Sequence, residues 1–215
     1  MTVTTSTFVD FDTPTDYRDE LKAYVDRVRW LMIPSRRYLA IDGTEPPGSP
    51  AFKDAIATLY PVGYGIHFGS KERLADAPVG ALQGLYWLGG EEPRSAEAIA
   101  DASAATGRWR WRLMLPIPDG ATSADVEGAI RTVRAKKAPP LIDELWIHTW
   151  EEGPVGQILH LGPYADEPAT IARLQASIAE RGLQVRGVHH EIYISDPNRA
   201  RPDRMKTLLR LDVAA

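Results

Sequence analysis

The chain is predicted to fold as an α+β domain made of two strand–helix–strand–strand modules, with antiparallel sheets around a central ligand cleft. Three observations carry this expectation. The order of elements read near the N-terminal third recurs near the C-terminus. Two loops share their make-up, Glu45-Pro46-Pro47 and Asp166-Glu167-Pro168, each just ahead of a helix. With 215 residues and 44% hydrophobic content, the chain can bury one sizeable core as a single domain or as two fused halves.

Residues 1–29 are polar and read as an arm, with a helical turn or two around Asp19–Arg29 before Pro34 breaks the pattern. The rest, 30–215, is expected to be one domain of two similar halves, about 36–90 and 155–213, with a connecting segment between them. In the first half, Arg37–Ile41 alternates as a strand and residues 42–48 form a turn-rich loop. Ser49 then caps a helix that has Pro50 in its first turn and Phe52, Ile56 and Leu59 on one face. After Pro61, two runs read as strands, Val62–Phe68 and Ala81–Leu88, joined by a polar loop with Pro78 and Gly80. The connecting segment holds an alternating strand, Arg108–Leu115, a helix from about Ser123 to Lys136, and the strand Leu145–Trp150. The second half repeats the order: strand Val155–Leu161, loop Gly162–Pro168, helix Thr170–Glu180 closed by Gly182, then strands His189–Ser195 and Lys206–Val213.

Composition removes several function classes. The net charge of -4 comes without the clustered Lys and Arg that phosphate neutralisation needs, so no nucleic-acid partner is expected. Arg131, Arg134, Lys136 and Lys137 read as the solvated end of a helix, where cations suit the macrodipole. The absence of cysteine excludes disulfides, thiolate chemistry and Cys-ligated zinc. No signal peptide opens the chain and no segment approaches the roughly 20 apolar residues of a membrane span, so a cytoplasmic protein is expected. His67, His148, His160, His189 and His190 show no helical i,i+4 pair, so no metal is expected. A Gly-x-Ser-x-Gly elbow is missing, so no Ser-His-Asp triad is expected, and Gly63-Tyr64-Gly65 and Gly89-Gly90 are too short to cradle phosphates, so no cofactor is expected either. Glu151-Glu152 ahead of Gly153-Pro154 reads as a solvated hairpin turn.

The chemistry concentrates on His189–Ser195. Period-2 alternation puts Glu191 and Tyr193 on one face and Ile192 and Ile194 on the other. If the isoleucines pack on the core, Glu191 meets either solvent, as on any edge strand, or a groove. Aromatic residues in or beside the expected strands favour the groove: Trp87, Trp109, Trp111, Trp146, Trp150, Tyr38 and Tyr164 are candidates for an aromatic wall suited to flat, apolar and cationic ligands. Burial there would raise the Glu191 pKa and poise it as a general base or a counter-charge.

These residues also carry a family likeness. The segments are Tyr38–Gly43 with Gly48–Phe52, Leu82–Trp87, Leu159–Tyr164 with Asp166–Pro168, and His190–Pro197 with Lys206–Arg210. Through them the chain resembles the GyrI-like small-molecule-binding proteins, specifically the stand-alone group related to the cyclopropanoid cyclopropyl hydrolases. The resemblance implies a pseudo-twofold pair of modules, a pocket for lipophilic aromatic compounds, and a glutamate matching Glu191 that faces it. It further implies either hydrolysis of the cyclopropane of cyclopropylindole-type DNA alkylators, as detoxification or self-resistance, or non-catalytic multidrug binding or sensing with Glu191 as counter-charge. A gyrase-inhibitor role is a further alternative within that family. On the hydrolase reading Glu191 activates water and Tyr193 orients it or donates a hydrogen bond. Gln83 stands where relatives often carry a glutamate, and His148 is a polar partner on an aromatic strand.

Overall fold

The computed structural model describes residues 9–71, 73, 78–89 and 109–214. Residues 1–8 of the expected arm, part of the loop ahead of Pro78, and Gly90 and Arg108 at the edges of expected elements lie outside the described residues. The fold is α+β, and its long strands pair antiparallel. In chain order the elements are α1 (Tyr17–Glu20), β1 (Arg29–Gly43), α2 (Pro50–Gly69), β2 (Leu82–Leu88), β3 (Trp109–Pro116), α3 (Ser123–Lys136), β4 (Trp146–Leu161), α4 (Glu167–Glu180), β5 (Gln184–Val185), β6 (His189–Tyr193) and β7 (Lys206–Ala214). Among the described residues no helix is long and apolar enough to cross a membrane. Two compact units divide the chain, one formed by Arg36–Trp150 and the other by the described residues up to Ser35 together with those from Glu151 on.

In the unit Arg36–Trp150, β3 lies between β1 and β2, with Ile41 opposite Leu113 and Gly84 also opposite Leu113. Residues opposite one another share a face. Trp111, Leu113 and Leu115 therefore face the same way as Leu39, Ile41 and Gly43, and α2 covers them: the Phe52 ring stands edge-on to Trp111 at 5.2 Å. A Cβ on Gly63 would lie 2.4 Å from Leu115, so this glycine sets how closely α2 approaches the sheet. Ser49 caps α2 by accepting from the Phe52 amide at 3.3 Å. The helix does not stop at Pro61, however, and the expected strand Val62–Phe68 is its second half. Pro61 removes one i to i−4 hydrogen bond, but Leu59, Val62 and Ile66 are buried on a single helical face, and that burial prevails. The α3 helix starts as expected, with Thr122 and Asp125 forming a reciprocal capping box, and its basic end is exposed, Arg134 reaching Asp143 at 2.6 Å.

In the other unit β7 is central. It pairs with β4 from Val155 opposite Asp212 to Leu161 opposite Lys206, with β6 from His190 opposite Arg210 to Tyr193 opposite Thr207, and with the short β5. Leu209, Leu211 and Val213 form a core with Ile158 and Trp30 under Leu174 and Ile178 of α4. The expected strands Leu145–Trp150 and Val155–Leu161 are one continuous strand, β4, so residues 151–154 make no hairpin. Gly153 takes a φ of +78° within it, and Glu152 is 1% exposed rather than solvated. Pro34 likewise sits inside β1 instead of ending an arm.

The recurring order is β1, α2, β2, β3 and then β4, α4, β6, β7, with the last strand of each set hydrogen-bonded between the other two. The place assigned to Val62–Phe68 is therefore taken by β2, and β3 completes the first set.

Candidate functional site: a buried carboxyl pair on one sheet face

Strand β6 is short and alternates: His190 and Ile192 are fully buried, while His189, Glu191 and Tyr193 are partly covered. Glu191 is opposite Leu209 and Tyr193 opposite Thr207, so both point to the face that carries α4. Ile192 is buried, as expected of the isoleucine face, and Glu191 lies on the other face of β6, which presents its polar side to the first turn of α4. Ile194 is exposed, beyond the end of the strand.

Both oxygens of Glu191 are held. His189 places Nε2 2.8 Å from Oε1, and the Tyr193 hydroxyl donates to Oε2 at 2.7 Å. Burial alone would push this carboxyl up, but the hydrogen bonds from His189 and Tyr193 and the charge of His189 outweigh it, so the Glu191 pKa lies below the ordinary carboxylate range. Its side chain remains 14% exposed, enough for water to reach.

Glu167, the first residue of α4, is the second half of the site. It is 5% exposed, with Thr207 and Glu191 against its carboxyl. A helix N-terminus favours a carboxylate, yet burial and then the neighbouring Glu191 charge dominate and push Glu167 up from 4.5 to about 9. Its Oε1 is buried with no hydrogen-bond partner, and buried polar atoms are seldom left so. Glu167, His189 and Glu191 each bring an oxygen or nitrogen to within 4.8 Å of the others. One carboxyl ionised and its neighbour protonated is the pattern that separates base from acid.

Tyr164 stands at the rim, 40% exposed, its ring edge-on to Tyr193 at 5.9 Å. Burial of its ring and the charges of Glu191, Glu167 and Asp196 raise its hydroxyl to about 12, so it stays a donor. His160 holds the loop that presents it: Nε2 lies 3.1 Å from the Pro163 carbonyl and Nδ1 2.9 Å from the Thr170 hydroxyl. Gly162, at a φ of +137°, makes the turn beside that imidazole. Behind the strand, on the face opposite Glu191, Arg210 bonds Glu152 at 2.9 Å and Glu20 at 3.0 Å, and His190 Nδ1 lies 2.7 Å from Glu152. Burial opposes ionisation of Glu152, but the charges of His190 and Arg210 prevail and hold it below its usual range. This closed set of charges anchors β6 and β7 with nothing exposed.

The remaining sequence candidates lie in the unit Arg36–Trp150 and sort by face. Tyr38, Gln83 and Trp87 are opposite Pro116, Met114 and Arg110, on the face away from α2. All three are buried, and the Trp87 indole N–H has no hydrogen-bond partner. Trp146, His148 and Trp150 alternate along β4 with successive rings 5.0 and 6.0 Å apart; His148 and Trp150 lie 6.4 and 6.5 Å from Tyr38, and Arg112 stacks 4.6 Å over Trp146. Partial burial and then the Arg112 charge depress His148 to about 4, leaving it neutral at pH 7. Trp111 lies on the opposite, α2-covered face, fully buried, with its N–H donated to the Glu45 carbonyl at 2.7 Å. Trp109 packs against Tyr86.

Sequence reasoning paired Glu191 with Tyr193 and missed Glu167 and His189. Glu167 sits in the Asp166-Glu167-Pro168 run that opens a helix, where an acidic residue has an ordinary explanation. The repetition of that loop was the available signal. His189 was set aside because metal-type spacing was sought along one element, whereas this cluster joins β6 to α4.

Fold and site together define an α+β antiparallel-sheet protein with a buried carboxyl pair at the start of a helix. Solved structures of the same fold come from Listeria innocua. An uncharacterized conserved protein is 29% identical, with 94% of this chain and 99% of that one covered at a TM-score of 0.79. A hydrolase is 27% identical, with 94% and 99% covered at 0.74. A hydrolase encoded by lin2189 is also 27% identical, with 95% and 100% covered at 0.75. A scan against protein-family models found no match, and neither did a search of curated proteins.

Proposed function

We propose that this protein is a cofactor-independent hydrolase that opens the cyclopropane of flat aromatic alkylators of the cyclopropylindole type, a detoxification activity. The observation that carries the reading is the carboxyl pair, with Glu191 held ionised and partly open beside Glu167 held protonated. The two Listeria proteins described as hydrolases, 27% identical over nearly the whole chain, support it. Glu191 takes a proton from water as the water oxygen attacks the cyclopropane methylene. The ring carbon–carbon bond breaks, its electron pair passes into the conjugated system, and the dienone oxygen becomes a phenolate that takes its proton from solvent. Tyr193 and His189 orient Glu191, Glu167 supplies a neutral hydrogen bond to the water, and the Tyr164 hydroxyl is placed at the rim to stabilise the distant oxygen. Relief of ring strain keeps the intrinsic barrier modest, and one positioned base contributes about 10²- to 10⁴-fold.

The test is the rate of hydrated, ring-opened product from a cyclopropylindole alkylator. Wild type should exceed buffer, and Glu191→Gln should fall by that same factor of about 10² to 10⁴. Tight binding with no product above buffer would instead favour a sequestering protein in which Glu191 is a counter-charge.

A further inference from the structure

We infer that the Glu167–Glu191 pair also hydrates aryl-substituted epoxides to diols, an inference that rests on the acid–base reading of this pair. The geometry suits an oxirane better than a cyclopropyl dienone. In the dienone the charge emerges at the far end of a conjugated system, out of reach of the pair, and needs a separate donor. In an oxirane the carbon attacked and the oxygen released are bonded neighbours. A base and an acid whose reactive atoms lie within 4.8 Å of each other can serve both from one side. The unpartnered, buried Oε1 of Glu167 is the group such an oxygen would meet. Glu191, with each oxygen already holding one hydrogen bond, is better suited to orient and deprotonate water than to attack carbon itself. The edge-on rings of Tyr164 and Tyr193 beside the carboxyls favour an aryl substituent.

The step balances without a further reactant. Water forms a carbon–oxygen bond at one oxirane carbon while its proton passes to Glu191. The carbon–oxygen bond of the ring breaks, and the released alkoxide takes the Glu167 proton. The product is a vicinal diol, and a proton passed from Glu191 back to Glu167 restores the pair.

Styrene oxide is the probe, with diol formation measured in ¹⁸O-labelled water beside a cyclopropylindole assay on the same preparation. Wild type should accelerate diol formation over buffer by about 10²-fold or more, with one labelled oxygen per diol from the first turnover. Glu167→Gln should abolish most of this acceleration while reducing cyclopropane opening far less, because only the oxirane takes the Glu167 proton itself, whereas the amide can still donate a neutral hydrogen bond to the water. Thermal melts establish that the variant is folded, and Tyr193→Phe, which leaves both carboxyls, should slow both reactions through KM-independent loss of kcat. No diol above buffer alongside intact cyclopropane opening overturns this inference alone. Failure of both reactions overturns the acid–base reading as well. An unlabelled first-turnover diol, or epoxide hydration untouched by Glu167→Gln, overturns the step as written.

Discussion

At the scale of single residues, two glutamates of the same chemistry are driven apart by their surroundings. Glu191 gains a hydroxyl and an imidazole as hydrogen-bond partners, whereas Glu167 gains burial and a neighbouring negative charge. Each change in protonation should appear in the pH profile of kcat/KM. The acid limb should lie below the ordinary carboxylate range, where Glu191 takes a proton, and the alkaline limb near 9, where Glu167 loses one. In Glu167→Gln the alkaline limb should vanish while the acid limb remains; its persistence would show that another group titrates. Tyr193 is a positioning residue on this account. Tyr193→Phe removes one hydrogen bond to the carboxylate, so the acid limb should move upward and kcat should drop about tenfold, the effect of one charge-assisted bond of about 1.5 kcal/mol.

Among the elements, α2 tests which local rule prevails. Gly63 and Pro61 both weaken a helix interior, and here they act differently. A Cβ at position 63 would lie 2.4 Å from Leu115, so Gly63→Ala should destabilise by about 1–3 kcal/mol through overpacking, despite roughly 1 kcal/mol gained in helix propensity. Pro61 lies inside the helix and withholds a backbone hydrogen bond, so Pro61→Ala should stabilise by up to about 3 kcal/mol, less about 0.4–1 kcal/mol from the freer unfolded chain. Denaturant melts of the two variants should move in opposite directions. The same helix shows where the sequence was ambiguous. Val62, Tyr64, Ile66 and Phe68 alternate perfectly, which is a strand signal, but Val62 and Ile66 also continue the face of Leu59. The structure separates them, burying Val62 and Ile66 and leaving Tyr64 and Phe68 exposed, their rings stacked 6.2 Å apart. Caps, loops and the β6 alternation were legible because each depends on neighbours in sequence. The fusion of two expected strands into β4 was not, because Glu152 is drawn inward by Arg210 and His190, 58 and 38 positions away. Glu167 was hidden for the same reason: its meeting with Glu191 depends on α4 docking over β6 and β7.

At the scale of the whole molecule, a site that holds a proton at Glu167 weakens the fold as pH rises, and the sign of that effect is open to measurement. Unfolded, Glu167 ionises near 4.5; folded, it does so near 9. Between those values the native chain binds a proton that the unfolded chain has already released, so the contribution of this group to stability is fully present below 4.5 and declines as pH climbs toward 9. Glu191 works in the opposite sense, its contribution present above the unfolded carboxylate value and lost as pH falls through its lower folded value. An amide at position 167 cannot ionise in either state and also spares Glu191 a negative neighbour. The melting temperature of Glu167→Gln minus that of wild type should therefore be smallest near pH 5 and grow steadily to pH 9, with calorimetry at several pH values as the measurement. Arg210→Met is the counter-case, because it removes the guanidinium that two buried carboxylates share and should destabilise by about 3–5 kcal/mol. A Glu167→Gln difference that stays flat across this range would mean that Glu167 is ionised in the native protein at neutral pH. The pair would then carry two negative charges, and its assignment as base and acid would fall with them.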